Sequence, residues 1–232
     1  VGGVVLEKEQ LFSSHENQII IKYTLVDAHS ETKLQFKPFL AFRNIHQLSK
    51  ANHDANKRYE PVPNGIKIVM YEGYSPLYLQ FSKKPEYTHV PDWYYNIKYT
   101  HEELRGYDPL EDLYVPGFFE VQIKKGESII VVASTTEVNP SGMKQRFLAE
   151  AKKRRPRNSF ENCLINSAQQ FVVKQNKKVD IIAGYPWYGS IGRDTFMALP
   201  GLLLTQGETN TFIEVINSMI ANMKGAFFHN AI

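Results

Sequence analysis

Up to about residue 137, apolar and polar positions alternate in places with a period of two. The runs QIIIKYTLV (18–26), KLQFKPFLAFR (33–43), GIKIVMY (65–71), LYLQFS (77–82), WYYNIKY (93–99), FFEVQI (118–123) and SIIVVAS (128–134) are rich in β-branched and aromatic residues, and Gly, Pro, Asn and Asp clusters separate them. This pattern predicts antiparallel sheets packed as a β-sandwich. PNG (63–65) and KKGES (124–128) predict hairpins in which glycine supplies the positive φ of a tight turn.

From residue 138 the pattern changes. VNPSGMKQRFLAEAKKRRPR (138–157) runs from turn chemistry into a charged, helix-compatible stretch, read as a connector with a solvated face; its KKRRPR also admits a nuclear-signal or anion-patch reading. Pro156 suits the first turn of a helix, and SFENCLINSAQQFVV (159–173) puts Phe160, Cys163, Leu164, Ser167 and Phe171 near one face, with Ser159 and Asn162 as a partial cap. RDTFMALPGLLLTQG predicts a buried helix interrupted at Pro200–Gly201. NTFIEVINSMIANMKG (210–225) predicts another, with an apolar stripe of Phe212, Val215, Ile216, Met219, Ile220 and Met223 and a stop at Gly225. The fold class expected is therefore multidomain, β then α: a sandwich over 1–137, a linker over 138–157 and a helical domain over 158–232.

A composition of 43% hydrophobic and 12% aromatic residues supports a substantial core in this 232-residue chain. The 27 basic and 24 acidic residues leave a formal charge of +3, too balanced to argue for nucleic acid or a membrane as principal partner. A single cysteine, Cys163, excludes an intramolecular disulfide and a cysteine-rich metal site, and a cytoplasmic location is expected. No apolar run approaches the 18 to 20 or so residues of a membrane helix, and no signal peptide is evident. Val1 stands inside what reads as a strand, and Phe227 to Ile232 carry no helix stop, so the chain reads as a piece of a longer protein.

The densest chemistry lies in IIAGYPWYGSIGRDTFMALPG (181–201). Gly184, Gly189 and Gly192 permit unusual torsions and close approach of a ligand, and Trp187 and Tyr188 offer flat ring faces. Arg193 is a planar donor fork and Asp194 an acceptor, a combination suited to vicinal sugar hydroxyls. An equally concrete alternative makes Asp194 a helix cap or first-turn anion, Arg193 its salt-bridge partner and Trp187 a core residue. The stretch lacks the endings and spacing of phosphate-binding loops, and an Asp at the helix start opposes phosphate.

A second cluster, YTHEELRGYDPLEDLYVPGFF (99–119), carries Glu102, Glu103, Asp108, Glu111 and Asp112. These carboxylates are read as a structured loop between strands, Arg105 bridging acids and Gly106 and Gly117 making turns; acid/base work is the alternative. The second His of a zinc H-E-x-x-H is missing after His101, and His46, His53 and His89 have no ligand spacing.

AGYPWYGSIGRDTFMALPGLLL resembles the signature of the glucosidase domain of glycogen debranching enzymes of the prokaryotic amylo-α-1,6-glucosidase type. KPFLAFRNIHQLSKAN (37–52) and EELRGYDPLEDLYVPGFF are similar to the β-sandwich that precedes that domain. The resemblance implies a sandwich followed by an (α/α)6 toroid, with hydrolysis of α-1,6-linked glucose at branch points of glycogen or a related α-glucan and no metal or organic cofactor. It implies that Arg193 and Asp194 hold hydroxyls of the terminal glucose, with Trp187 and Tyr188 lining the pocket. Ile191 stands where the family commonly has Trp.

An inverting glycosidase needs an acid and a base roughly 6.5 to 9.5 Å apart. In the family both lie on later helices, and twelve helices take at least about 200 residues. The 75 residues from Asn158 onward therefore hold only the start of such a toroid, and the catalytic pair is expected downstream of Ile232. Helix faces that the rest would cover should be exposed and favour self-association. The rival readings are another toroidal exo-glycosidase, of glucoamylase or trehalase type, and a non-catalytic carbohydrate-binding sandwich.

Overall fold

The computed structural model describes residues 3–14, 16–175, 178–228 and 230. The expectations about Val1 and about the last residues, His229, Ala231 and Ile232, lie outside the described residues. In chain order the elements are β1 (Val5–Phe12), β2 (Gln18–Asp27), β3 (Thr32–Phe36), β4 (Glu60–Val62), β5 (Gly65–Ile68), β6 (Leu77–Phe81), β7 (Glu86–Lys98), α1 (Thr100–Leu104), β8 (Leu110–Ile123), β9 (Ser128–Ser134) and α2 (Met143–Lys152). They are followed by α3 (Phe160–Gln170), β10 (Val172–Gln175), β11 (Lys178–Ile181), α4 (Gly192–Leu202) and α5 (Thr209–Ala221). Two compact units divide the chain, Val1–Ala151 and Lys152–Ile232. No described helix is long and apolar enough to cross a membrane.

The first unit contains two antiparallel sheets, ordered β1-β2-β9-β6-β5-β4 and β3-β8-β7. Leu25, Ile66, Ile68, Phe81 and Ile129 of the larger sheet share one core with Trp93, Tyr114, Phe119, Val121 and Ile123 of the smaller. The β9 run explains a further layer. Ile129, Val131 and Ala133 face that core, whereas the alternate residues Ile130 and Val132 join Ile20 in a second cluster with Met143 and Phe147 of α2. The unbroken IIVV run is buried on both faces, and the stretch read as a solvated connector supplies the cover.

Turn chemistry is as expected in kind and different in detail. In the β4–β5 hairpin Val62 pairs with Gly65, so the turn residues are Pro63 and Asn64, and Asn64 carries the positive φ of 52°. Gly65 is required for another reason: a Cβ there would stand 2.0 Å from the Leu79 carbonyl oxygen of β6. Gly126 has φ +81°, but its turn joins β8 of one sheet to β9 of the other and is no hairpin. Gly117 is not a turn residue either; it lies within β8, where a Cβ would meet the Thr88 carbonyl oxygen at 2.1 Å. Gly106, at φ +79°, does end α1.

In the second unit Val179 and Ile181 of β11 pack with Leu199, Leu203, Val215 and Met219. The β10–β11 hairpin falls where the chain reads partly as helix, because α3 stops at Gln170 and the β-branched pair Val172–Val173 enters a ladder with Ile181 and Asp180. Ser159 is the α3 cap, its Oγ accepting the Asn162 amide at 3.2 Å, so Pro156 lies before the helix. The expected apolar face of α3 is largely exposed, with Phe160 81% and Leu164 53% accessible. Helix α4 continues through Pro200 and Gly201 to Leu202; so near the C-terminus, Pro200 removes only the bond to the Phe196 carbonyl, four residues back. Helix α5 ends at Ala221 with Asn222 as cap, and Gly225 (φ +63°) belongs to a later turn bridging Lys224 and Phe227.

Candidate functional site

The loop between β11 and α4 is built on short backbone links. The Tyr188 amide donates to the Gly184 carbonyl at 2.8 Å, and the Ala183 amide to the Gly189 carbonyl at 2.9 Å. A cis peptide joins Tyr185 to Pro186, and neither Gly184, Gly189 nor Gly192 adopts a positive φ. Gly184 serves close packing instead, since a Cβ there would meet the Tyr188 ring at 3.2 Å. The Tyr185 hydroxyl donates to the Gln170 carbonyl at 3.0 Å, its ring lies 5.9 Å from that of Phe171, and burial raises its pKa.

Trp187 and Tyr188 are 47% and 59% exposed, so Trp187 is not a core residue. Arg193 and Asp194 open α4 as its second and third residues, with side chains 76% and 41% accessible and Nε 3.7 Å from Oδ1. Asp194 is therefore no N-cap. Ile191 takes that position without a side-chain bond, and Asp194 sits in the first turn, where the helix dipole favours an anion. The structure thus brings Arg193 and Asp194 together and presents them, with two ring faces a few residues upstream, to solvent.

A separate cleft of about 480 Å³ is lined by Lys174, Glu214 and Ser218 among others; it includes none of the four expected site residues. Among the described residues no group of three or more His, Cys, Asp and Glu side chains could hold a metal.

The carboxylates of the 99–119 cluster are engaged within the first unit itself, Glu103 with Lys98 at 2.7 Å and Asp108 with the Leu110 amide at 3.1 Å among them. Glu111 is fully buried on β8, and its carboxylate receives Arg43, the Ser49 amide and hydroxyl, and the Tyr99 hydroxyl. Burial acts to raise its pKa, but these hydrogen bonds together hold it down to about 2. Burial and the bond to Glu111 push Tyr99 up to about 12. Asp112 accepts the Ala51 and Asn96 amides at 3.0 and 2.9 Å, and these bonds lower its pKa. Arg105 pairs with Glu102 at 3.2 Å. A buried carboxylate with this many donors is fixed as an anion and unsuited to proton transfer near neutral pH.

Residues that the sequence pattern does not single out also stand at this site. Thr195 is wholly buried with an unpartnered Oγ1, and the Ser190 Oγ is buried likewise. Their signal in the sequence is position alone, one on each side of the Arg-Asp pair.

Residues 1–130 match the family model described as glycogen debranching enzyme N terminal, and residues 166–232 the one described as amylo-alpha-1,6-glucosidase. No curated protein and no solved structure matches the chain. The two matches come in the order that the sequence resemblance implies, the first over the β-rich unit and the second over the loop and helices that carry Arg193 and Asp194. Since the first alone spans more than half of the 232 residues, the chain belongs to the glycogen debranching enzyme family.

Proposed function

We propose that this chain is part of a debranching α-1,6-glucosidase that hydrolyses the α-1,6-linked glucose at branch points of glycogen or a related α-glucan. One observation carries the reading: an exposed Arg193–Asp194 pair opens a helix directly after an aromatic loop, inside the segment that matches the glucosidase family. In this reading Arg193 donates to, and Asp194 accepts from, hydroxyls of the terminal glucose, while Trp187 and Tyr188 line the pocket and stack on its C–H faces. The reaction is inverting: one carboxylic acid protonates the leaving oxygen and a second carboxylate activates water from the opposite face. The catalytic pair is not assigned to residues of this chain.

Residues 1–137 are the family's N-terminal sandwich, 138–157 a connection whose helix α2 packs on that sandwich, and 158–232 the start of an (α/α)6 toroid. The protein acts in the cytoplasm and without a cofactor. Glucose release from phosphorylase-trimmed glycogen, measured with this chain and with the uncut product of its gene, tests the reading. Glucose from the long form alone is expected. Release from neither sinks the debranching assignment in favour of a binding module, and release from the short chain overturns the placement of the carboxylate pair outside it.

A further inference from the structure

The cleft of about 480 Å³ in the second unit lies between the β10–β11 hairpin, which gives it Lys174, Lys178 and Val179, and α5, which gives it Glu214, Asn217 and Ser218. With Ala221, these α5 residues recur at steps of three, one and three, so they share one face of the helix. A helix face turned toward a neighbouring strand is ordinarily apolar, as Val215 and Met219 are where α5 packs with β11. The adjoining face instead presents a carboxylate, a carboxamide and a hydroxyl to the hairpin. The space between them has the size of a small-ligand site, about 300 to 1,000 Å³.

Ser218 is 8% exposed, and its Oγ accepts the Val179 amide at 3.2 Å. Accepting uses a lone pair and leaves the hydroxyl proton to donate. A helical serine commonly sends that proton to the carbonyl four residues back, here Glu214, but the Ser218 proton has no acceptor among the described residues. The charged groups are also unevenly matched. Lys174 meets Glu214 at 3.2 Å with both side chains about half accessible, an ion pair of small worth, and Lys178 pairs with no carboxylate among the described residues. Two lysines against one glutamate leave the lining one positive charge in excess.

We propose that this cleft binds a small phosphate monoester whose phosphoryl group takes the place of the Glu214 carboxylate beside Lys174. A phosphate monoester carries a charge of about −1.5 to −2 at pH 7, which two ammonium groups match, and its oxygens accept from the Ser218 hydroxyl. Glu214 is the resident anion that the ligand displaces. Once released, Glu214 and the Asn217 carboxamide are acceptors for hydroxyls on the organic part of the ligand. That part also accounts for the volume, which is more than a bare phosphate fills. The cleft contains neither Arg193 nor Asp194, and the inference does not depend on the debranching reading.

The test is a set of NMR titrations of the chain with glucose 6-phosphate, inorganic phosphate and glucose at one ionic strength. Glucose 6-phosphate is expected to shift the amides of Val179, Asn217 and Ser218 and to bind more tightly than inorganic phosphate, while glucose leaves these amides unmoved. Lys174→Gln and Ser218→Ala should each weaken glucose 6-phosphate about tenfold, as the loss of a hydrogen bond to a charged group does. Glu214→Gln removes the competing anion and should strengthen binding about threefold. Lys224→Gln, a change of the same charge outside the cleft, should have no effect. Should Ser218→Ala not fold, the exposed Lys174 and Glu214 carry the test. Equal affinity for inorganic phosphate, the same shifts with glucose, or an effect of Lys224→Gln as large as that of Lys174→Gln overturns the proposal.

Discussion

Arg43 holds the carboxylate of Glu111 through two donors, Nε to Oε1 at 2.5 Å and Nη2 to Oε2 at 3.2 Å. With the Ser49 amide and hydroxyl on Oε1 and the Tyr99 hydroxyl on Oε2, this one side chain ties residues 43 to 49 to strand β8. The adjacent Asp112 does the same for Ala51 and Asn96. The acidic cluster thus pins a long connection to the small sheet.

Glu111→Gln should therefore destabilise the first unit by about 2–3 kcal/mol at neutral pH, since it replaces one oxygen and the charge of a fully buried carboxylate shared by the partly exposed Arg43 guanidinium and three other donors. The pH dependence has a definite sign. Glu111 titrates at about 2 when folded, against an ordinary value of 4.5, so its contribution is complete above about pH 4.5 and is lost as pH falls from there through 2. Urea unfolding of the native chain and Glu111→Gln at pH 7, 4 and 3 reads both effects. A native-to-variant gap that does not narrow with acid would refute the assignment.

Two glycines should be far less replaceable than a third. A Cβ on Gly65 or Gly117 would stand 2.0 or 2.1 Å from a backbone carbonyl oxygen, which cannot rotate away. Alanine at either position is expected to cost about 3 kcal/mol. Gly126 faces open space, and alanine there costs only the left-handed φ, about 1–2 kcal/mol. Thermal melts of the three variants should separate Gly126→Ala clearly from the others.

Phe147→Ala should destabilise the first unit by about 3 kcal/mol, because Phe147 covers Ile20, Ile130 and Val132 on the outer face of the large sheet. Leu148, its neighbour on α2, is 57% exposed, and Leu148→Ala should change stability by less than about 0.5 kcal/mol. Equal effects in denaturant titrations would show that α2 does not pack on the sheet through this face.

Arg193→Ala should leave the melting temperature unchanged, given an exposed side chain, and weaken isomaltose binding about 10- to 100-fold, as expected for a charged hydrogen bond. Calorimetric titration with isomaltose measures this. Unaltered affinity would move sugar binding away from the Arg-Asp pair.

Ile213 and Ile220, seven residues apart on α5, are 50% and 51% exposed, and Met197 on α4 is 77% exposed. The chain is expected to self-associate at high concentration, and Ile213→Asn with Ile220→Asn to reduce that association. A monodisperse monomer of the native chain in light scattering would count against it.

The amino-acid sequence by itself determined the elements whose local pattern is strong. The runs at 18–26, 77–82 and 128–134 are strands because alternating or continuous β-branched residues suit a pleated, buried surface, and 210–221 is helical because its apolar residues recur every three or four positions. The order of β then α, the Ser159 cap and the Arg193–Asp194 pair are readable in the same way, since each depends on neighbours in the chain.

Only the tertiary structure decided what depends on distant partners. That α2 is a cover follows from the outer face of β9, which local composition does not reveal. Gly65 and Gly117 are fixed by carbonyls of neighbouring strands, 14 and 29 positions away in the sequence, rather than by their own torsions alone. Glu111 is an anchor, not an acid catalyst, because folding delivers Arg43, Ser49 and Tyr99 to it. Local propensity selects elements, but burial and hydrogen-bond pairing, which act between residues far apart in sequence, assign them their work.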